Sequence, residues 1–156
     1  MTKKVLITGA EGQLGKALHM NLSDNYTVLP TARRPSVLAL KNRNVLAMDI
    51  TNLDSVSNAI NSFDPDIIIN CAAYSDVDGN EINRKLSHEV NVAGLSNLLQ
   101  VSDIKTYIVQ ISSDYVFDGN NGPYDEDDHT FPVNYYGKSK LEAENILRGS
   151  RRQWII

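Results

Sequence analysis

Two tyrosines and two lysines stand close together in the segment Tyr-Tyr-Gly-Lys-Ser-Lys, which begins at Tyr135. On a helix, residues four positions apart lie on one face, so Tyr136 meets Lys140 and Tyr135 meets Ser139, while Lys138 points away from Tyr136. Spacing alone leaves both couples open. A free tyrosine, with a pKa of about 10, is a poor acid or base at neutral pH. An ammonium beside Tyr136 is expected to lower that pKa and to make proton transfer possible.

Small and hydroxyl-bearing residues follow two of the apolar runs in the sequence. Ser112 and Ser113 follow one run. A hydroxyl there either caps a loop or hydrogen-bonds a substrate carbonyl. Cys71, Ala72 and Ala73 follow another run, where small side chains either let a cofactor lie against the backbone or simply pack closely. Cys71 is expected to be inert, because nothing near it in sequence would lower the pKa of its thiol.

Three glycines at three-residue spacing, Gly9, Gly12 and Gly15, separate an apolar run at the N-terminus from an amphipathic segment. In a dinucleotide-binding loop the first glycine makes the tight turn and the second lets the backbone approach a pyrophosphate. The third allows the helix to pack closely on the strand. The phosphates would then lie at the helix N-terminus, where free N–H groups favour anions. A glycine-rich turn is the other interpretation, and the strand-loop-helix context favours dinucleotide binding.

The type of dinucleotide depends on the residues after the second apolar run. Arg33 and Arg34 stand where an acid would bind the adenosine ribose of NAD, and an arginine there accommodates the 2′-phosphate of NADP. NADPH is therefore favoured over NADH, although a solvated surface pair fits the same residues. Asp49 either reaches the adenine edge or serves as a turn residue that caps a helix.

Apolar runs alternate with helical segments along the chain, which predicts an α/β fold with a Rossmann-like, doubly wound parallel sheet. Three of the runs are continuously apolar, as in strands covered on both faces. The predicted strands lie within 3–8, 26–31, 44–49, 66–73, 105–113 and 153–156, and the predicted helices within 12–23, 52–62, 80–102 and 135–149. The helix at 52–62 is expected to begin at Thr51 or Asn52, and the last one to follow Asn134 and end at Gly149.

The residues from 113 to 134 form the longest irregular segment, and so long a loop in a compact domain is usually functional or disordered. Ligands of open α/β sheets bind at the carboxyl ends of the strands, where the glycine loop and the strand-end serines would lie. A cofactor and a carbonyl are thus placed beside Tyr136 and Lys140, which become the working pair. Tyr135 is then a flanking residue used in packing.

Composition sets limits on the partners. The 156 residues fit one domain, and a net charge of -4 argues against nucleic acid or an anionic membrane surface as a partner. No apolar run approaches the roughly 20 residues that span a bilayer, and a strand-like run follows the first four residues where a signal peptide would have its apolar core. With a single cysteine, the sequence predicts a cytoplasmic protein that binds small molecules.

Several motifs in order along the whole chain resemble the extended short-chain dehydrogenase/reductase superfamily. They are TGAEGQLG from Thr8, NCAAY from Asn70, EVNVAGLSNL with Asn91, and YGKSK from Tyr136. Within this superfamily, the segments NCAAYSDVDGNE, ISSDYVFDG and YYGKSKLEAE closely resemble the dTDP-4-dehydrorhamnose reductases. The resemblance implies reduction of the 4-keto group of dTDP-4-dehydro-L-rhamnose by NADPH or NADH.

The resemblance also assigns roles to single residues. It implies that Tyr136 donates a proton to the C4 oxygen, that Lys140 binds the nicotinamide ribose and tunes Tyr136, and that Ser113 polarises the carbonyl. Family members usually carry threonine in place of Ser113, so the hydroxyl is kept. Ser113 and Asp114 match sugar contacts, and Asn91 matches an asparagine that supports the lysine through water. The implied cofactor contacts are Gly9, Gly12, Gln13, Leu14, Gly15, Arg33, Asp49, Ile50, Ala72, Ala73, Tyr74, Asn91, Tyr136 and Lys140.

The family's chains continue through a further strand and a sugar-nucleotide domain. Residues 1–156 are therefore expected to be an NAD(P)-binding Rossmann domain that stops in or just after its sixth strand, without the substrate domain. Such a piece would bind cofactor better than substrate, and its open sheet edge would favour self-association. The family often forms dimers. No metal ligand is expected here, since the residues that hold Mg²⁺ in some members would lie beyond Ile156.

Two other functions fit the same fold. One is a non-catalytic subunit that binds a dinucleotide or a partner, as the regulatory subunit of methionine adenosyltransferase does; the complete set of Tyr136, Lys140 and Ser113 argues for the enzyme instead. The other is a sugar-nucleotide epimerase or dehydratase of the same superfamily. Dehydratases carry acids beside the strand-end hydroxyl, as in Ser113-Asp114, but the sequence DYVFDG fits the reductase better.

Overall fold

The computed structural model describes residues 2–36 and 45–156. Within them, six parallel strands form one sheet with the order β3-β2-β1-β4-β5-β6. The strands are β1 (Lys4–Thr8), β2 (Thr27–Ala32), β3 (Leu46–Ala47), β4 (Ile67–Asn70), β5 (Tyr107–Gln110) and β6 (Trp154–Ile155). The predicted Rossmann-like sheet is confirmed.

Strand β1 is the point where the direction of winding changes. The chain moves from β1 to β2 and β3 on one side, and then crosses back to β4, β5 and β6 on the other. Alternate residues of β1 enter the two halves of the core: Leu6 packs with Ile68 on one face, and Ile7 packs with Ile69 on the other. A crevice is expected at the carboxyl ends of β1 and β4, where ligands of such sheets bind.

Helices cover both faces of the sheet. They are α1 (Gln13–Leu22), α2 (Leu53–Phe63), α3 (Val77–Ile82), α4 (Arg84–His88), a π-helical turn (Glu89–Ala93), α5 (Gly94–Val101) and α6 (Tyr135–Arg148). Asparagine or aspartate side chains cap α2, α3, α4 and α6 at their N-termini by accepting a backbone N–H, as these residue types commonly do. Of the two caps considered for α2, the one used is Asn52, and Asn134 caps α6 as predicted.

The single helix predicted over 80–102 is wrong in its details. A helix begins earlier, after its cap Asp76, and is interrupted at Asn83, whose φ of -122° and ψ of 67° are not helical. The side chain of Asn83 accepts the Leu86 N–H at 3.1 Å and so starts a second helix. That helix continues through the π turn around Asn91 to its end at Val101. Sequence periodicity does not register either irregularity.

Strand β3 is shorter than the predicted run at 44–49, and Asn44 lies outside the described residues. The loop at 113–134 contains a short 3₁₀ helix, Asp114–Val116. Phe117 and Tyr124 stack there with ring centroids 4.6 Å apart, and the Phe131 N–H donates to the Val116 carbonyl at 2.9 Å. No helix within the described part of the chain is both long enough and apolar enough to cross a membrane.

Candidate functional site

A cavity of about 540 Å³ lies at the carboxyl ends of the central strands. It connects the glycine loop after β1, the ends of β3 and β4, the residues after β5, and the start of α6. The residues that line it are Gly9, Gly12, Gln13, Leu14, Gly15, Arg33, Met48, Asp49, Ile50, Thr51, Asn70, Cys71, Ala72, Ala73, Tyr74, Ser75, Leu86, Val90, Ile111, Ser112, Tyr136 and Lys140. Every predicted cofactor contact except Asn91 lines this cavity.

Gly9 makes the turn that opens the cavity. Its φ of +62° lies in the left-handed region, and a Cβ at this position would stand 2.8 Å from the Ala72 nitrogen. The loop after β1 therefore touches the backbone after β4, which only glycine permits. Gly15 is the buried residue of α1 and packs against the Gly9 carbonyl, as the third glycine of the motif was predicted to do.

The N-terminus of α1 faces the same cavity. Gly12 provides no side-chain cap, and the first turn of the helix carries no acidic residue. The free N–H groups and the positive end of the helix dipole therefore remain available to an anion. Leu14 is 43% exposed and lines the cavity, whereas Leu18 and Leu22 of the same helix pack against the core.

The cavity also contains one arginine and one aspartate that were predicted from the sequence to contact the cofactor. Arg33 is exposed after β2 and lines the wall. Asp49 also lines it, but one of its carboxylate oxygens accepts hydrogen bonds from the Thr51 N–H at 2.9 Å and the Thr51 hydroxyl at 2.8 Å. Asp49 is therefore a turn residue, as the second interpretation predicted, but it does not cap the helix, whose cap is Asn52. Its other oxygen leaves it able to accept from a ligand as well.

A buried series of hydrogen-bonded polar side chains lies beneath the cavity, and no motif in the sequence predicted it. The Thr8 hydroxyl donates to Asn70 Oδ1 at 2.6 Å, Asn70 Nδ2 donates to Gln110 Oε1 at 2.8 Å, and Gln110 Nε2 donates to the Ile111 carbonyl at 3.0 Å. The Ala72 N–H completes the series by donating to the Thr8 hydroxyl at 3.0 Å. One signal could have revealed these hydrogen bonds: three buried strands that are neighbours in the sheet each end in a polar residue.

Lys140 is the buried cation of the site, with 3% of its surface exposed. Its Nζ donates to the Ile111 carbonyl, the same oxygen that accepts from Gln110. Burial lowers the pKa of Lys140 to about 8, while the charges of Glu144 and Cys71 act to raise it. Lys138, two residues earlier, is exposed and does not line the cavity, as its position on the helix predicted.

Tyr136 faces the cavity beside Lys140, but its pKa does not shift in the expected direction. Burial raises the pKa of Tyr136, and the charges of Asp114 and Tyr115 add to the rise, while hydrogen bonding with Ser113 opposes it. The prediction that the ammonium lowers this pKa is therefore wrong: desolvation of the phenolate has the largest effect, and Lys140 is not among the groups that shift it. The phenol is therefore protonated at neutral pH, and it is a weaker acid than a free tyrosine.

The two strand-end serines have different partners. Ser112 lines the cavity and donates to a carboxylate oxygen of Glu144. Ser113 caps the 3₁₀ helix by accepting the Tyr115 N–H at 3.3 Å, and it donates to Asp114 Oδ1 at 3.1 Å. Neither Ser113 nor Asp114 is one of the described residues that line the cavity, so the structure places both at its margin.

Asn91 lies behind the cavity wall with 3% of its surface exposed. Its side chain accepts the Tyr74 N–H at 2.8 Å and donates to the Ser139 hydroxyl at 2.9 Å. Ser139 in turn donates to the Tyr136 carbonyl at 2.7 Å. Asn91 therefore ties the loop after β4 to the start of α6.

Two further residues of the motif segments have the surroundings that the sequence suggested. Tyr135 lies outside the cavity wall, with its backbone N–H donating to Glu81 Oε1 at 2.6 Å and the Arg84 guanidinium 5.1 Å from its ring centroid. Cys71 lines the cavity, and burial raises the pKa of its thiol to about 11. Its thiol is therefore protonated at neutral pH, in agreement with an inert cysteine.

The sequence matches the family model described as the RmlD substrate binding domain over residues 3–156. The chain belongs to this family. It is 43% identical over 146 residues to the dTDP-4-dehydrorhamnose reductase of Aggregatibacter actinomycetemcomitans, with 92% of this chain and 46% of that protein aligned. It is 35% identical over 148 residues to methionine adenosyltransferase 2 subunit beta of Rattus norvegicus, with 94% and 43% aligned.

A solved structure of dTDP-4-dehydrorhamnose reductase from Bacillus anthracis str. Ames, in complex with NADP, resembles this RmlD-family chain with a TM-score of 0.85 and 35% identity. The comparison covers 99% of this chain and 52% of that one. The chain thus spans about half the length of the relatives that it matches.

The RmlD-family site includes several wall residues that sequence reasoning missed, namely Met48, Thr51, Asn70, Ser75, Leu86, Val90 and Ile111. Most are apolar or ordinary loop residues, and no motif distinguishes them. Asn70 is different, because an asparagine at the end of the buried run Ile-Ile-Ile-Asn is a polar group that needs partners.

Proposed function

We propose that this chain forms the cofactor-binding part of an NAD(P)H-dependent reductase that converts the 4-keto group of dTDP-4-dehydro-L-rhamnose to the alcohol of dTDP-L-rhamnose. The observation that carries the proposal is that Tyr136 and Lys140 share one cavity with the glycine loop and the uncapped N-terminus of α1. The likeness to named dTDP-4-dehydrorhamnose reductases supports the choice of substrate.

The residues of the cavity fit a dinucleotide. The close approach of Gly9 to Ala72 leaves backbone rather than side chains at the centre of the site, and the N-terminus of α1 is suited to a pyrophosphate. Arg33 at the edge of the cavity suits a 2′-phosphate and favours NADPH over NADH. Lys140, at the opposite end from Arg33 along the sheet edge, would hold the nicotinamide ribose. The bound dinucleotide would supply a hydride to the C4 carbon of the sugar.

Tyr136 would supply the proton. As C4 is reduced, negative charge develops on its oxygen, and a neutral phenol beside that oxygen can donate. The raised pKa of Tyr136 keeps it protonated at neutral pH. Lys140, with a pKa of about 8, is mostly an ammonium at the same pH. Its positive charge would favour the phenolate that remains after the proton has moved.

Ser113 and Asp114 would act from the margin of the cavity. The Ser113 hydroxyl interacts with Tyr136 and lies one residue beyond the cavity wall. It would donate to the sugar oxygen once a substrate displaces its hydrogen bond to Asp114. Asp114 is exposed and would accept from a sugar hydroxyl.

The test uses the complete product of the gene, because the relatives are about twice as long as this chain. We expect it to oxidise NADPH when dTDP-4-dehydro-L-rhamnose is added, followed as the loss of absorbance of the reduced nicotinamide. Tyr136→Phe should lose at least roughly 100-fold in kcat, the usual contribution of a general acid, and still bind NADPH. Tyr135→Phe is the matched control and should retain activity. Equal turnover by Tyr136→Phe would remove Tyr136 from the mechanism.

The second candidate function is a dinucleotide-binding regulatory subunit without catalysis. It is favoured by the 35% identity to methionine adenosyltransferase 2 subunit beta. A protein that binds NADPH but does not consume it with the 4-keto sugar would favour this function. Oxidation of NADPH by the wild type, abolished in Tyr136→Phe, would exclude it.

A further inference from the structure

Two opposite charges are buried one turn apart on α6. Lys140 is 3% exposed and Glu144 is 4% exposed. Residues four apart on a helix are neighbours, so the carboxylate lies beside the stem of the lysine. Charges are rarely buried so deeply without partners, because the loss of hydration is costly. Lys140 belongs to the proposed active site, whereas Glu144 does not line the cavity and has no role in the mechanism described above.

The partners of Glu144 connect it to the segment after β5. The Ser112 hydroxyl donates to Oε1 of Glu144, and Arg148 Nη2 lies 3.6 Å from Oε2. Ser112 stands between two residues that contact the proposed catalytic pair. Before it, the Ile111 carbonyl accepts from Lys140, and after it, Ser113 interacts with Tyr136. A single buried carboxylate thus anchors the segment that meets both members of the pair.

Electrostatics point in the same direction as the contacts. Burial lowers the pKa of Lys140 to about 8, and the charge of Glu144 acts against that fall. Cys71, at the end of β4, is the other group that acts to raise it, but with a pKa of about 11 its thiol carries no charge at neutral pH. Among the described residues, Glu144 therefore provides the negative charge that acts on Lys140 under those conditions.

We infer that Glu144 is a positioning residue of the site. Its buried carboxylate holds Ser112 and the segment after β5 in place, and its negative charge stabilises the ammonium form of Lys140. The inference rests on the proposed function, since it assigns Glu144 to the support of a lysine that binds the nicotinamide ribose. Arg148, which is half exposed, lies on the solvent side of Glu144 and partly offsets its negative charge.

The experiment measures the affinity for NADPH between about pH 6 and pH 9 in the complete product of the gene. Glu144→Gln keeps an oxygen that accepts from Ser112 but removes the charge. Without that charge, Lys140 loses its proton at lower pH, so the midpoint of the fall in NADPH affinity should move down by about 1 pH unit. A role in folding alone would weaken binding equally at every pH. Glu142→Gln, an exposed carboxylate on the same helix, is the matched control and should keep the wild-type midpoint.

A second variant tests the same inference in the opposite direction. Arg148→Gln removes the positive charge that lies beside Glu144, at a half-exposed position. The carboxylate then acts more strongly on Lys140, so the midpoint should move up by a few tenths of a pH unit. Wild-type midpoints in both Glu144→Gln and Arg148→Gln would overturn the role of Glu144 and leave the proposed function standing. Failure of the wild type to bind NADPH at any pH would overturn the proposed function, and the inference with it.

Discussion

Asn70 Nδ2 donates a hydrogen bond to Gln110 Oε1 at 2.8 Å, across the paired ends of β4 and β5. Both side chains are 2% exposed, and Asn70 also accepts from the Thr8 hydroxyl of β1. The last residues of three neighbouring strands are therefore joined beneath the cavity. Buried polar groups are costly when they are unpaired. This series of hydrogen bonds therefore fixes the strand ends only while each of its side chains is present.

Asn70→Ala is expected to lower the free energy of unfolding by about 1–3 kcal/mol, since it leaves the Thr8 hydroxyl hydrogen without an acceptor and Gln110 Oε1 without a donor in the core. Urea denaturation followed by circular dichroism measures the change. Asn61→Ala is the matched control, because Asn61 is exposed on α2 and donates only to Ser57. A stability change for Asn70→Ala no larger than that of the control would mean that this series of hydrogen bonds is not cooperative.

Gly137→Ala is expected to destabilise the protein, although alanine favours helices by up to about 1 kcal/mol over glycine. A Cβ at Gly137 would stand 2.0 Å from the Tyr115 carbonyl oxygen, so α6 and the 3₁₀ helix would have to separate. We expect a net loss of about 1–3 kcal/mol, as for an overpacked core, measured by thermal unfolding. The neighbouring and exposed Lys138→Ala should change stability little. A more stable Gly137→Ala would contradict the close contact.

The parts of the fold that depend on local signals were predicted from the sequence. The cap at Asn134, the end near Gly149 and the glycines at the start of α1 each act within a few residues, so α6 and the glycine loop were placed within about one residue. The parallel, doubly wound sheet was predicted from the alternation of strands and helices, since parallel strands need crossovers of one preferred hand, whereas no strand order was predicted.

The rest depends on contacts between distant segments. Asn91 bonds Tyr74 and Ser139, and Glu144 bonds Ser112, across 17 to 48 positions in sequence, and no periodicity identifies these pairs. The direction of the pKa shift of Tyr136 could not be predicted either, because it is set by how deeply the phenol is buried. The sequence therefore predicted which residues surround the cavity better than it predicted how they are held.

Arg152→Ala is expected to destabilise the end of α5. The guanidinium donates to the carbonyls of Leu99 and Ser102, which the end of the helix leaves without partners, and to the carbonyl of Asp103, which also accepts the Thr106 N–H at 3.0 Å. We expect a loss on the order of 1–2 kcal/mol, typical of hydrogen bonds from a charged group that is partly exposed. Hydrogen exchange at the amides of α5 measures the local effect. The adjacent, exposed Arg151→Ala is the control, and equal exchange in the two variants would exclude a capping role.

The buried ammonium of Lys140 should make stability depend on pH. Burial lowers the pKa of Lys140 from 10.5 to about 8, so above about pH 8 the unfolded chain holds a proton that the folded chain has lost. Stability should therefore rise with pH through this range, by up to about 1 kcal/mol between about pH 8 and pH 9. The pKa of Cys71, raised from 9.0 to about 11, has the opposite effect above about pH 9, where stability is lost as pH rises.

Urea midpoints at about pH 7, 8 and 9 reveal the Lys140 effect, since it begins near pH 8 and the opposing effect of Cys71 begins about one pH unit higher. Lys140→Met removes the titrating group and should abolish the rise between about pH 8 and pH 9. Lys138→Met, at an exposed position two residues away, should keep the wild-type slope. The same slope in Lys140→Met and the wild type would mean that another group titrates, and that Lys140 reaches solvent more freely than its 3% exposure implies.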